Sequence, residues 1–242
     1  MIRKTKKRTR RGVIVTAIVS AIIIGMVAAA GYFDRSPLNF YAAVGRPRET
    51  VVVNVSGDMG LRFLLGASTS RGLTQRGYSV VGVSAPGIFW RRRTRAEIAT
   101  VIADAIRFAL AKTGARNVAV MGQSYGADIV QTGLVDLPAD LRRHVVAIVL
   151  VLPGDSVFFR ADPTGLLYRG KPDSIATATA NTLDWAPVTC IYGVEETDSL
   201  CPLLRIATAN IVSMPGDHDI RHDAAGLLAN VLQGISRPAI KH

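Results

Sequence analysis

Six short runs of Val, Ile and other apolar residues recur along this chain, spaced so that a helix fits in nearly every gap. They fall at 50–55, 78–83, 117–121, 145–152, 188–192 and 210–214. The runs are almost unbroken in apolarity, as strands buried on both faces must be. Helical patterns lie between or after them, at about 61–76, 94–113, 125–136, 202–208 and 223–235. Strands alternating with helices in this way predict an α/β fold, a parallel sheet of about six strands with helices on both faces. One interval breaks the rhythm. Residues 153–186 are long and rich in Pro, Gly, Asp, Ser and Thr, and are expected to form a loop or flap over a site. No internal repeat is visible.

The chain has 242 residues, 49% hydrophobic and 19% charged, which suits one large domain and excludes a disordered chain. Its formal charge of +11 is misleading until it is divided along the sequence. Residues 1–12 carry Arg3, Lys4, Lys6, Lys7, Arg8, Arg10 and Arg11 and no acid. Removing those seven leaves 22 basic against 18 acidic side chains, a net of +4. The body of the protein is therefore only mildly basic, and nucleic acid is not an expected partner.

The basic tail leads into an uncharged run, 13–33, in which Thr16 and Ser20 are the polar side chains before the terminal Tyr32. As a helix it would be about 31 Å long at 1.5 Å per residue, matching a ~30 Å hydrocarbon core. Basic residues on the leading side keep that side in the cytoplasm. The expectation is one N-terminal transmembrane helix in the inner membrane, a tether at 34–48, and a domain at 49–238 in the periplasm. The alternative is a cleaved leader, for which Ala28, Ala29 and Ala30 offer small residues. The anchor is favoured because the apolar run exceeds the ~7–15 residues usual in a signal peptide. Cys190 and Cys201, the only two cysteines, are not at metal-ligand spacing, and in an oxidising compartment they are expected to pair.

The sharpest local signal is Gly122-Gln123-Ser124-Tyr125-Gly126. It follows a predicted strand and opens a predicted helix, the context that makes G-x-S-x-G a nucleophile elbow. Ser124 is the expected nucleophile. In this arrangement an acid and then a histidine follow in the chain. His218 lies just beyond the last predicted strand, where ligands meet parallel sheets, and is taken as the base, with His222 as the alternative. His144 leads into a strand and reads as structural. The acid should follow the 188–192 strand. Asp198 is preferred because a 190–201 disulfide would clamp its loop; Glu196 is second, and Glu195 the remaining candidate. The oxyanion hole would use the N–H of Tyr125 and that of Asp58 or Met59, in the loop after the first strand. This chemistry needs neither cofactor nor metal.

Taken together, Ser56–Gly60 (SGDMG), 89–94 (FWRRRT), 122–128 (GQSYGAD), 190–202 (CIYGVEETDSLCP) and 215–219 (PGDHD) resemble the VirJ/AcvB bacterial virulence proteins, which are α/β-hydrolase-like. Two departures stand out: Met59 replaces a second glycine of the oxyanion loop, and Asp217 precedes His218 where the family favours glycines. The resemblance implies a periplasmic hydrolase that removes the aminoacyl group of lysyl-phosphatidylglycerol. The residues it implies are Ser124, Asp198 and His218. On that substrate Arg91, Arg92, Arg93 and Arg95 are candidates for gripping the lipid phosphate. Asp217, Asp219 and Glu196 are candidates for attracting the lysyl ammonium groups. A general esterase or thioesterase, and a non-catalytic periplasmic adaptor for virulence or secretion, are the competing functions.

Overall fold

The computed structural model describes the backbone of residues 2–34, 36–62 and 64–238, with side chains over those ranges except at 2–12 and 64. The basic side chains of the tail lie outside the described residues. In chain order the elements are α1 (Ile2–Ala29), β1 (Leu38–Tyr41), β2 (Thr50–Val55), α2 (Leu64–Gln75), β3 (Val80–Val83), α3 (Ala85–Phe89), α4 (Arg95–Thr113), β4 (Asn117–Gln123), α5 (Tyr125–Leu134), α6 (Ala139–Arg142), β5 (Val145–Val151), β6 (Ser156–Val157), β7 (Ser174–Ile175), α7 (Ala176–Ala180), β8 (Val188–Gly193), β9 (Asn210–Met214) and α8 (Ala224–Ile235).

Seven strands form the main sheet in the order β1-β3-β2-β4-β5-β8-β9. All six predicted strands are present and parallel. Alternation along β2 divides the core. Val51, Val53 and Val55 pack on the side covered by α4 and α5, and Val52 faces α2 and α8. Helix α4 starts where the sequence says it must, because Thr94 and Glu97 form a reciprocal capping box.

The seventh strand corrects the expected tether. Leu38–Tyr41 pairs antiparallel with β3 at the sheet edge, and the Pro37 carbonyl accepts from Ser84 N–H at 2.8 Å. A four-residue edge strand with an exposed end carries too little apolar pattern to be read in advance. The predicted helix at 202–208 is a second correction. Pro202 opens only a single 3-10 turn, Cys201–Leu203, and Leu204 is already extended. The interval 153–186 is less bare than expected, since it holds the β6–β7 pair, a 3-10 turn at Leu167–Arg169, and α7.

Among the described residues no helix is long and apolar enough to cross a membrane. Along α1 the apolar side chains face outward: Val13, Ile18, Ile22, Ile23 and Met26 are all exposed. The expected span also ends early. Ala30 and Gly31 are buried against the domain.

Candidate active site

Ser124 sits between β4 and α5 with φ 52° and ψ −126°, a left-handed conformation rarely tolerated outside glycine. Its neighbours explain how the turn closes. A Cβ at Gly122 would overlap the Gly126 carbonyl, and one at Gly126 would overlap the Val55 carbonyl. Both glycines are therefore demanded by the approach of helix to strand. Ser124 N–H donates to Val151 O at 2.8 Å, which ties the elbow to the next strand.

The Ser124 Oγ lies 2.8 Å from His218 Nε2, and His218 Nδ1 lies 2.6 Å from Glu196 Oε1. A carboxylate can only accept, so Nδ1 carries the proton and Nε2 accepts from the serine hydroxyl. The second Glu196 oxygen accepts Gly193 N–H at 3.0 Å. The hydrogen bond to Glu196 raises the His218 pKa against the lowering effect of burial, and the charges of Glu196, Asp198 and Asp217 raise it further. The loops carrying acid and base lean on each other at Gly193, where a Cβ would overlap the Asp217 carbonyl. Glu195 N–H donates to Gly216 O at 2.9 Å, pinning the same crossing.

The expected acid, Asp198, is thus not the residue at the histidine; Glu196 is. The reason is the turn after β8. Glu196 N–H bonds back to Gly193 O at 3.1 Å, and the extra methylene of Glu folds its carboxylate under His218. Asp198 lies past this turn, where its carbonyl accepts from Asp155 N–H at 2.7 Å. The Cys190–Cys201 disulfide is formed, with Cα atoms 5.5 Å apart, and it closes the loop that holds both carboxylates. His222 lies 3.3 Å from Asp219 and is not bonded to Ser124. His144 is structural, its Nδ1 2.8 Å from the Arg116 carbonyl.

Two cavities meet at Ser124 and His218. One, about 470 Å³, is bounded by Gly57, Met59, Leu65, Leu152, Asp217 and His222 and is mainly apolar. The other, about 650 Å³, lies beneath 154–168 and is lined by Asp58, Asp128, Asp155, Asp162, Glu196 and Asp198. Burial pushes the Asp58 carboxyl up to about 6, although the Tyr168 hydroxyl donates to it at 2.6 Å. Burial likewise pushes the Asp128 carboxyl well above its usual value, partly offset by Gly154 N–H at 3.0 Å. Asp162 instead serves its own loop, accepting from Thr164 and Leu167 N–H groups. Tyr125 stacks on Tyr168 with ring centroids 6.3 Å apart, and its buried hydroxyl has no hydrogen-bond partner.

This acidic chamber was missed in the sequence. Its signal lay in Asp155 and Asp162 of the long interval, which read there only as loop residues. Asp217 and Asp219 border the other cavity, and Asp219 accepts from Arg221 N–H at 2.8 Å. Asp58 and Met59 border both cavities beside Ser124, and Tyr125 follows it at the start of α5. In the 57–60 turn Gly60 N–H donates to Gly57 O at 3.0 Å, a bond in which the N–H groups of Asp58 and Met59 take no part.

The arginines do not reach either cavity. Arg91 stacks on Trp90, Arg92 pairs with Asp173, Arg93 with Glu97 at 3.2 Å, and Arg95 with Asp136 at 3.0 Å. The short helix α3 turns this run away from the cleft, and nearby acids take up most of its charge.

A mostly parallel sheet with an elbow serine, a histidine on a strand-end loop and helices on both faces defines the α/β-hydrolase fold. Solved structures agree. A lipase-esterase related protein from Clostridium acetobutylicum is 15% identical, with a TM-score of 0.56, covering 82% of this chain and 100% of its own. The esterase domain of a Rhodothermus marinus protein is 16% identical at TM-score 0.57, covering 81% and 89%. An alpha-beta serine hydrolase homologue from Coxiella burnetii is 14% identical at TM-score 0.57, also covering 81% and 89%. At these identities the likeness establishes the fold. The comparison with curated proteins gives no match. Residues 49–239 match the family described as bacterial virulence protein (VirJ), and the chain belongs to that family.

Proposed function

We propose that this chain is a membrane-anchored serine hydrolase that removes the aminoacyl group from lysyl-phosphatidylglycerol on the periplasmic side of the inner membrane. The observation that carries the reading is the unbroken hydrogen-bond chain Ser124–His218–Glu196. In it, Ser124 Oγ attacks the ester carbonyl as its proton passes to His218 Nε2. Glu196 holds the imidazole tautomer and stabilises the cation that forms. The N–H of Tyr125, with that of Asp58 or Met59, receives the developing oxyanion. His218 then protonates the departing lipid alcohol. Water, deprotonated by the same imidazole, attacks the acyl-serine; the acyl C–Oγ bond breaks, the imidazolium returns its proton to Ser124 Oγ, and lysine is released.

The acid-lined cavity supports a cationic acyl group, and the mainly apolar one gives the lipid side of the ester a way out. A lysyl ammonium placed beside Asp58, Asp155 and Asp198 would find carboxylates to pair with, and the lipid alcohol would leave through the other cavity. The outward-facing apolar side chains of α1 support insertion in lipid. A helix apolar on all sides belongs in a core or a bilayer, and residues 13–26 of this one are exposed rather than packed into the domain.

The test compares lipid extracts from cells lacking the protein with cells carrying wild-type or Ser124→Ala chains. Lysyl-lipid should accumulate in both the null and the Ser124→Ala cells. Unchanged levels would reject this substrate. A fluorophosphonate probe separates enzyme from adaptor, since the adaptor reading requires that wild-type chain is not labelled. A general esterase would be labelled yet leave lysyl-lipid levels unaltered.

A further inference from the structure

We propose that the exit of the N-terminal helix, residues Ala29–Asp34, is a positioning element of the active site: it clamps the Gly57–Arg62 loop so that the loop presents its backbone N–H groups to Ser124. This rests on the hydrolase reading above and adds a role for a segment that an anchor alone would not need.

The contacts are specific. Gly60 has φ +75°, and a Cβ there would overlap the Ala30 carbonyl, so the loop and the helix exit touch backbone to backbone. Arg62 reaches across the same seam, pairing with Asp34 at 3.1 Å and donating to Ala29 O at 3.4 Å. On the other side Gly31 lies against Ser84, where its Cβ would come within 3.1 Å of the Ser84 Oγ. The Tyr32 hydroxyl is buried with no hydrogen-bond partner among the described residues, within electrostatic reach of Asp58 and Tyr125. A few residues later the chain enters β1 and is bonded into the sheet edge. The segment is therefore held at both ends, by the loop and by the sheet, and does not swing as a free tether.

Within the turn the described bond is Gly60 N–H to Gly57 O, and Asp58 is tied through its side chain to the Tyr168 hydroxyl at 2.6 Å, so the Met59–Gly60 side of the loop rests on the helix exit. The Gly57 backbone faces the elbow directly, since a Cβ on it would stand 3.5 Å from the Ser124 Cβ. A shift of the loop away from Ala30 changes where the Asp58 and Met59 N–H groups point, and oxyanion donors act only when preorganised. The Ser124–His218–Glu196 chain involves neither the loop nor the helix exit. Loosening the clamp should therefore slow the step that builds the oxyanion and leave the base unaltered.

The test uses the full chain in lipid nanodiscs, with p-nitrophenyl acetate as a soluble substrate so that delivery of lipid plays no part. Gly60→Ala should lower kcat about 100-fold, the scale of losing one oxyanion donor, with KM within about twofold and the acidic limb of the pH profile in place. Gly114→Ala controls for the glycine conformation itself. That residue has φ +67°, lies in open space at the end of α4, and should leave kcat unchanged. Arg62→Asp should lower kcat several-fold, and the exchange Arg62→Asp with Asp34→Arg should recover most of it. A wild-type rate in Gly60→Ala, or no recovery in the exchange, overturns the clamp. A wild-type chain that neither turns over the ester nor reacts with fluorophosphonate overturns the hydrolase reading, and the clamp falls with it.

Discussion

Glu196 and His218 meet at 2.6 Å with unequal exposure, the carboxylate side chain 5% and the imidazole 57% accessible. An acid so enclosed has few partners to choose from: the ring N–H and the Gly193 N–H. Glu196→Gln would keep the shape but could bind the wrong tautomer. It should cost about 10⁴ in kcat. Asp198→Asn should cost under tenfold in kcat. Steady-state kinetics on a soluble ester decide between them, and the reverse order would restore Asp198 as the acid.

The same pair sets the pH profile. Glu196 raises the His218 pKa above its usual 6.5, and the base works only when neutral. The rate constant kcat/KM should therefore rise with pH through a midpoint above 6.5 and then level off. Glu196→Gln should move that midpoint down. A midpoint that stays put in the variant contradicts the assignment of the acid.

Asp58 is kept at a cost to the fold. Burial raises its carboxyl from 3.8 to about 6, so the native state holds the proton more tightly than the unfolded chain does. The penalty is absent below pH 3.8 and complete above about pH 6, and is on the order of 2–3 kcal/mol. Asp58→Asn should raise the unfolding midpoint at pH 8 and change it little at pH 3.5. It should also weaken turnover of lysyl-lipid more than that of an uncharged ester. Equal effects on both substrates would remove the acidic chamber from recognition.

The elbow glycines give a prediction about stability. A methyl at Gly126 meets the Val55 carbonyl, which ends the interior strand β2, paired on both sides. Gly126→Ala should destabilise by about 1–3 kcal/mol and slow fluorophosphonate labelling of Ser124. Thermal unfolding and labelling rates measure the two effects. A variant as stable and reactive as wild type would show the elbow to be looser than its geometry.

The disulfide closes a short loop, and losing that constraint on the unfolded chain should cost about 3 kcal/mol. Cys190→Ser with Cys201→Ser should lower the unfolding midpoint. Because Glu196 lies inside the loop, kcat should fall as well, by more than KM changes. A stability loss with kcat intact would limit the bridge to a structural role.

Local chemistry made much of this protein legible in one dimension. The parallel strands follow from runs of Val and Ile buried on both faces. The elbow follows from two glycines around Ser124, because closing that turn is a matter of neighbouring residues. His218 follows from its place just past a strand. The disulfide follows from two cysteines with no other partner. What the tertiary structure decided depends on loops crossing at a distance. It chose Glu196 over Asp198, because the length of one side chain and the tightness of one turn settle which carboxylate reaches the ring. It turned the arginine run away from the cleft and gave three of its members to nearby acids. It gathered Asp58, Asp128, Asp155 and Asp198 from four segments into one chamber, which no spacing along the chain records. It also pressed the helix exit at Ala30 onto Gly60. Packing between remote segments is set by the whole fold at once, and a pattern read along the chain carries only the part that neighbours impose on each other.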